Sequence, residues 1–464
     1  MTETSTTGDK HYITPFVLPV AAFALVIGAG ALLLFLDANA ARGSASFVDS
    51  LFTATSAVCV TGLASVDVFS TFNRAGQGVV LALVQLGGIG IVTYSTLVFY
   101  MLDRRISLRD RMAVEQVLFY DPSFNLGRFL QRMILTVFFC EAAGAAVFFF
   151  LEPERIGFFN ALFLSVSAFC NAGFAPWQDS LAQWRGHWGM NVAVMTLIIT
   201  GGLGYFVIED MARVLLARLK APGPRSLRLP VVRLRYYSRI VLATSLFLIL
   251  AGAAAIFALE PDKAVREGVP LPERALISLF QSVTSRTAGF STTDMELFSD
   301  AALLVTMLLM FIGGSPGSCA GGIKTTTFRI LWGNLVAQLR GHSQIIVAGR
   351  AMSPKTCNKA ALLFCYALLT VILTTFALVL TENGHTHHGA APFGLMELFF
   401  EVVSAFGTVG LSINVTPRLS DLGKLILCGA MLIGKIGPVW LISTIQQFQS
   451  DPAFRYPTDS MPVG

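Results

Sequence analysis

Apolar residues in this chain gather into runs long enough to cross a bilayer, which takes about 20 helical residues for roughly 30 Å of hydrocarbon. The runs fall at 13–36, 78–102, 130–151, 190–217, 239–259, 301–331, 360–380 and 422–446, which predicts eight membrane helices. Lys10 and His11 before the first run and Ala38-Asn39-Ala40 after it imitate a signal peptide. The run is too long for a signal h-region, so it reads as the first span.

Four connections between spans are themselves apolar and read alike: FVDSLFTATSAVCVTGLAS (47–65), FFNALFLSVSAFCNAGFAP (158–176), ALISLFQSVTSRTAGFSTT (275–293) and LMELFFEVVSAFGTVGLSI (395–413). Their glycines Gly62, Gly173, Gly289 and Gly410 recur at intervals of 111, 116 and 121 residues, an internal repeat. Each repeat therefore reads as long helix, short helix, glycine turn, long helix. A 12-residue helix is about 18 Å long and cannot span, so it dips in and returns. Irregular backbone at that depth survives only where it lines a polar pathway.

Glycines also recur in the second long helix of each repeat, at Gly87-Gly88-Ile89-Gly90, Gly201-Gly202-Leu203-Gly204, Gly313-Gly314 and Gly434. They predict matching breaks. In the first, second and fourth repeats close helix packing explains them as well as a pore does. In the third, GGSPGSCAGGIKTTT sets five glycines and a proline within ten residues, which no continuous helix tolerates.

The turns to watch are Cys59-Val60-Thr61-Gly62, Cys170-Asn171-Ala172-Gly173, Arg286-Thr287-Ala288-Gly289 and Gly407-Thr408-Val409-Gly410. Four such turns around one axis are the ingredients of a cation selectivity filter, in which backbone carbonyls replace an ion's hydration shell. They carry no ring of Asp or Glu, which favours K⁺ or Rb⁺ over Ca²⁺. Arg286 is expected to point back and brace the filter, and Asn171 to tune its outer site.

Composition fits this reading: 54% hydrophobic, 13% charged and a net charge of +5 exclude a disordered chain, a nucleic-acid binder or an ordinary cytosolic enzyme. The basic residues lie in alternate loops. Arg213 to Arg239 holds eight with no acid, Lys324 to Lys359 six with no acid, and 103–132 another cluster. Glu152, Glu154, Glu260, Asp262 and Glu382 mark the other loops. The positive-inside rule then places both termini in the cytoplasm. The seven cysteines form no C-x-x-C pair and read as small buried hydrophobes.

VTGL, SAFCNAGF, TAGFSTTD and SAFGTVGLS in that order, with GGSPGSCAGGIKTTTF between the third and fourth, resemble the bacterial Trk/Ktr/HKT superfamily, in particular its KtrB-like K⁺-translocating subunits. The resemblance covers about 13–448. It implies an all-α polytopic protein of the cytoplasmic membrane with four helix–re-entrant pore helix–helix repeats, eight transmembrane helices and four pore helices. The corresponding segments are a tail 1–12, repeats 13–112, 113–225, 226–350 and 351–448, and a tail 449–464. It implies that the sixteen turn residues form a selectivity filter. It also implies that Gly313, Gly314, Ser315, Pro316, Gly317, Ser318, Gly321, Gly322 and Lys324 lie in an intramembrane gating loop. Lys435 stands where the family usually carries an arginine, and a role as barrier or loop partner carries over to it; the alternative is a lysine snorkelling to the surface. The implied partners are a second copy of the chain, a cytosolic KtrA-like nucleotide-binding regulatory ring and the bilayer. K⁺ is the transported ion and Na⁺ a stimulating or second ion.

Other readings are set aside. In a Walker motif the lysine directly follows the second glycine, but Ile323 separates Gly322 from Lys324, so no nucleotide is expected on this chain. Glu141, Glu209 and Asp210 are expected to pair with loop arginines, and His385, His387 and His388 to lie in a solvated loop. An intramembrane enzyme would need clustered nucleophiles or ligands, and none are seen. A Na⁺-coupled secondary cation transporter is the rival, although its usual signature is an inverted rather than a fourfold repeat.

Overall fold

The computed structural model describes residues 17–36, 39, 45–89, 126–219, 233–260, 269–384, 386 and 391–437. Four long outer helices run over Val17–Phe35, Leu126–Leu151, Tyr236–Leu259 and Pro354–Glu382. Each is followed by a short pore helix: Phe47–Cys59, Phe158–Cys170, Leu271–Thr284 and Leu395–Gly407. Each pore helix leads through a turn to an inner helix: Arg74–Gly88, Trp188–Leu203, Asp300–Phe311 and Asp421–Ile436. Outer, pore and inner helix of one unit pack on one another.

The units close into a ring. The first inner helix packs on the second pore helix, the second on the third, the third on the fourth, and the fourth back on the first. Apolar residues that face these contacts are buried, among them Phe52, Phe163, Phe280 and Phe400, one from each pore helix. Leu25, Phe139, Phe247 and Leu373 on the outer helices stay exposed, as a surface solvated by lipid requires.

Inner helices begin at side-chain caps. Asn73 Oδ1 accepts from the amides of Ala75 and Gly76, His187 Nδ1 from Met190, Ser299 Oγ from Ala302, and Ser420 Oγ from Gly423. The acidic residues at the ends of the outer helices brace three of these caps. Glu260 accepts from the Ser299 hydroxyl at 2.6 Å, Glu382 from the Ser420 hydroxyl at 2.5 Å, and Glu152 lies 3.5 Å from His187. On charge alone these acids mark only sidedness.

Among the described residues three helices are long and apolar enough to cross a membrane: 130–151, Tyr236–Leu259 and Pro354–Glu382. The expected span 190–217 is instead two helices, Trp188–Leu203 and Tyr205–Leu219, bent by 106° at Gly204. The expected span 301–331 is interrupted over 312–324. The second half of 78–102, the end of 422–446 and His385, His387 and His388 lie outside the described residues.

Gly87 and Gly434 lie in the last turns of Arg74–Gly88 and Asp421–Ile436, where a Cβ would collide with the carbonyl oxygens of Val58 and Phe406. Gly201 does the same against Phe169, and the true break in that helix comes three residues later. These glycines let an inner helix approach the end of its own pore helix, which is the packing alternative.

Candidate ion pathway and its loop

All four pore helices end in the same backbone signature. Val60, Asn171, Thr287 and Thr408 have φ of 56°, 60°, 80° and 49°, and the glycines two residues on have φ of 92°, 72°, 78° and 97°. In three turns the reversal is closed by amides returning to the helix: Thr61 to the Ser56 carbonyl at 2.8 Å, Ala172 to Ser167 at 2.7 Å, Val409 to Ser404 at 2.9 Å. Ser56 Oγ and Ser404 Oγ also accept the amides of Gly62 and Gly410. The third turn closes one residue on, its Ala288 and Gly289 amides donating to the Thr284 carbonyl at 2.9 and 3.4 Å; Val283 stands at the serine position, and Thr284 Oγ1 donates to the Phe290 carbonyl at 2.7 Å.

The glycines meet in order. A Cβ on Gly62 would lie 2.9 Å from the Cα of Gly173, on Gly173 3.2 Å from Gly289, on Gly289 3.1 Å from Gly410, and on Gly410 3.0 Å from Gly62. The oxygens of Ala172, Ala288, Val409 and Thr61 fill the space each side chain would need. Positive φ and this crowding together leave room for glycine alone. Among the described residues, the carbonyls of Thr61, Ala172, Ala288 and Val409 accept no hydrogen bond. Buried carbonyls are nearly always paired, and a ring of four free ones is chemically able to accept a cation.

Cys59, Cys170 and Gly407 form the last turns of their helices, and Arg286 comes just after the third. Arg286 turns away from the ring. Its Nη1 donates to the Ser245 carbonyl at 3.2 Å and its Nη2 to Ser245 Oγ at 3.3 Å, on the third outer helix. Asn171 also turns back, its amide 3.2 Å and 3.1 Å from the carbonyls of Ile198 and Ala168.

The interrupted third inner helix gives a loop, 312–324, that touches every unit. Ser315 N donates to the Gly202 carbonyl at 3.0 Å and Tyr205 N to the Gly317 carbonyl at 3.2 Å. The loop thus takes up backbone groups freed at the Gly204 bend, where φ is 85°. Cys319 Sγ reaches the Gly88 carbonyl at 3.1 Å, and Gly321 N donates to Thr408 Oγ1 at 3.0 Å. Within the loop, Ser318 Oγ donates to the Ser315 carbonyl, and Ser315 Oγ meets Thr325 Oγ1 at 3.0 Å. A Cβ at Gly313 would strike the Gly321 carbonyl, so the loop folds tightly on itself. Gly314, Pro316 and Gly322 complete it.

Two lysines hold its carbonyls. Lys435 Nζ donates to Cys319 at 2.5 Å, and Lys324 Nζ to Ala320 at 2.5 Å and Gly321 at 3.4 Å. Lys435 is 9% exposed, so it is a loop partner and does not snorkel.

Asp210 pairs with Arg213 at 2.5 Å and accepts the Arg235 amide at 2.7 Å, and Glu209 lies 3.6 Å from Arg132, as expected. Glu141 is corrected. It accepts from Gln85 Nε2 at 3.1 Å and from Cys170 Sγ at 3.6 Å, partners brought in by other helices. Glu401 was not singled out, yet it is fully buried and accepts from Ser412, from Thr416 Oγ1 at 2.7 Å and from the Ile413 amide at 3.2 Å. An acid inside an apolar pore-helix motif was the signal for it.

Similar proteins agree with this architecture. The chain is 33% identical to the Ktr system potassium uptake protein B of Bacillus subtilis over 459 residues, 98% of this chain and 97% of that one. It is 31% identical to the potassium/sodium uptake protein NtpJ of Enterococcus hirae over 462 residues, 98% of each. The crystal structure of the potassium transporter TrkH from Vibrio parahaemolyticus matches its fold with a TM-score of 0.71, at 16% identity, over 95% of this chain and 87% of that one. Residues 10–455 match the TrkH family, described as cation transport protein, and the chain is a multi-pass membrane protein belonging to that family.

Proposed function

We propose that this chain carries K⁺ into the cell across the cytoplasmic membrane, through a channel-like pore whose filter is the ring of four turns. The observation that carries the reading is the closed ring of unpaired carbonyls at Thr61, Ala172, Ala288 and Val409. Four pore helices end at that ring, and the partly negative ends of helices favour cations. The loop 313–324 is the gate, held by Lys324 and Lys435. The repeats run over 13–112, 113–225, 226–350 and 351–448, and both termini are cytoplasmic.

Relatives named as parts of a Ktr system support a multi-component assembly. The chain works as a homodimer on a KtrA-like nucleotide-binding ring that moves the loop. Na⁺ is a second ion or a stimulant, a reading supported by a relative named for both potassium and sodium uptake.

The test is flux into liposomes holding the purified chain, with K⁺, Rb⁺, Na⁺ and Li⁺ compared. K⁺ and Rb⁺ should pass well ahead of Na⁺ and Li⁺, without a Na⁺ gradient. Equal flux of all four would sink the filter assignment; K⁺ flux that requires inward Na⁺ would favour a Na⁺-coupled transporter.

A further inference from the structure

We propose that Cys170 and Cys319 are a thiol pair that oxidises reversibly to a disulfide, tying the intramembrane loop to the second filter turn. Cys170 is the last residue of the second pore helix, directly before Asn171. Cys319 lies in the middle of the loop. Both sulfurs crowd one glycine of the first inner helix: Cys319 Sγ is 3.1 Å from the Gly88 carbonyl, and a Cβ on Gly88 would collide with Cys170 Sγ. The two sulfurs therefore share one glycine as a neighbour. All seven cysteines are free, and these two are 1% and 8% exposed.

A separation of 149 positions hides the pair from any reading of spacing. In the fold they join the loop that interrupts the third inner helix to the end of the second pore helix. A peroxide supplies the oxidising equivalents. One thiol gives a sulfenic acid and water, and the second thiol displaces a further water to form the S–S bond; a thiol reductant reverses it. Disulfides that form inside the cell are usually transient and redox-sensing rather than structural staples.

The effect on transport rests on reading 313–324 as the gate. A bond from Cys319 to Cys170 would fix the loop beneath the filter, so peroxide should close the pathway. The experiment uses the full chain in liposomes, treated with hydrogen peroxide and then with dithiothreitol. K⁺ flux and peptide maps of alkylated, unreduced protein are read together, and each variant is compared with itself before and after oxidation.

The expected result is a peptide linking residues 170 and 319, loss of most of the flux, and recovery of both with dithiothreitol. Cys319→Ser and Cys170→Ser should each abolish the link and the peroxide sensitivity. No linked peptide in the wild-type chain overturns the proposal and leaves the gate reading standing. A linked peptide with undiminished flux supports the thiol pair and overturns the gate. Peroxide inhibition that persists in Cys319→Ser overturns the assignment to this pair.

Discussion

Thr408 Oγ1 accepts a hydrogen bond from the Gly321 amide at 3.0 Å, so a side chain of the fourth turn is latched directly to the loop. Ring and loop are therefore one hydrogen-bonded unit, although the two residues lie 87 positions apart. Replacing Thr408 by Val keeps the shape and removes the acceptor. Such a bond contributes about 1 kcal/mol net, which corresponds to a roughly fivefold shift between latched and unlatched loop. Basal K⁺ flux in Thr408→Val liposomes should rise by about that factor; unchanged flux would separate the latch from the gate.

Gly289 and Gly410 should tolerate no side chain. Both have positive φ, at 78° and 97°, and each Cβ would press on the next turn's carbonyl, Val409 or Thr61. Gly289→Ser and Gly410→Ser should lose preference for K⁺ over Na⁺ by displacing one oxygen of the ring. Ion competition in a flux assay reads this directly, and wild-type preference in a folded variant counts against the filter.

Deleting 314–321 should raise flux, because those residues occupy the space beneath the ring and carry the carbonyl held by Lys435. Lys435→Met is the milder form. It removes one charged hydrogen bond, worth about 1.5–3 kcal/mol, and should raise flux without changing ion preference. A folded deletion variant with wild-type flux would remove the gate from 313–324.

Lys424 and Asp49 join the fourth inner helix to the first pore helix with Nζ 2.9 Å from Oδ1, at side-chain exposures of 10% and 15%. Breaking one side of such a pair strands the other charge, at a cost of about 3–5 kcal/mol when buried. Lys424→Met should lower the thermal midpoint in detergent, and adding Asp49→Asn should restore most of it. Equal midpoints for the single and double variants would mean the pair does not close the ring.

How much of this was legible depended on whether a residue's role is local. The turns at Gly62, Gly173, Gly289 and Gly410 could be read because a reversed backbone demands glycine where it occurs. The break in the third inner helix was legible for the same reason, since 313–322 is too rich in glycine and proline for a helix. Gly87 and Gly434 could be read either way because a packing glycine and a hinge glycine are the same residue; only the carbonyls of Val58 and Phe406 show the packing role. The bend at Gly204 belongs partly to the loop, whose Pro316 and Gly317 sit against it. Glu141 was assigned to arginines because spacing says nothing about Gln85 and Cys170 arriving from other helices.

The third inner helix alone among the four is interrupted by a folded loop within the described residues. A pore assembled from four identical chains repeats every hinge four times, and its opening is a concerted change or a series of partial ones. Here the ring is written once along a single chain, so a gate at 313–324 exists in one copy. Opening governed by 312–324 should then be a single all-or-none event per chain, with no ladder of intermediate conductances and no cooperativity within one pore. Any cooperativity seen in transport would have to come from between pores, or from whatever docks beneath them.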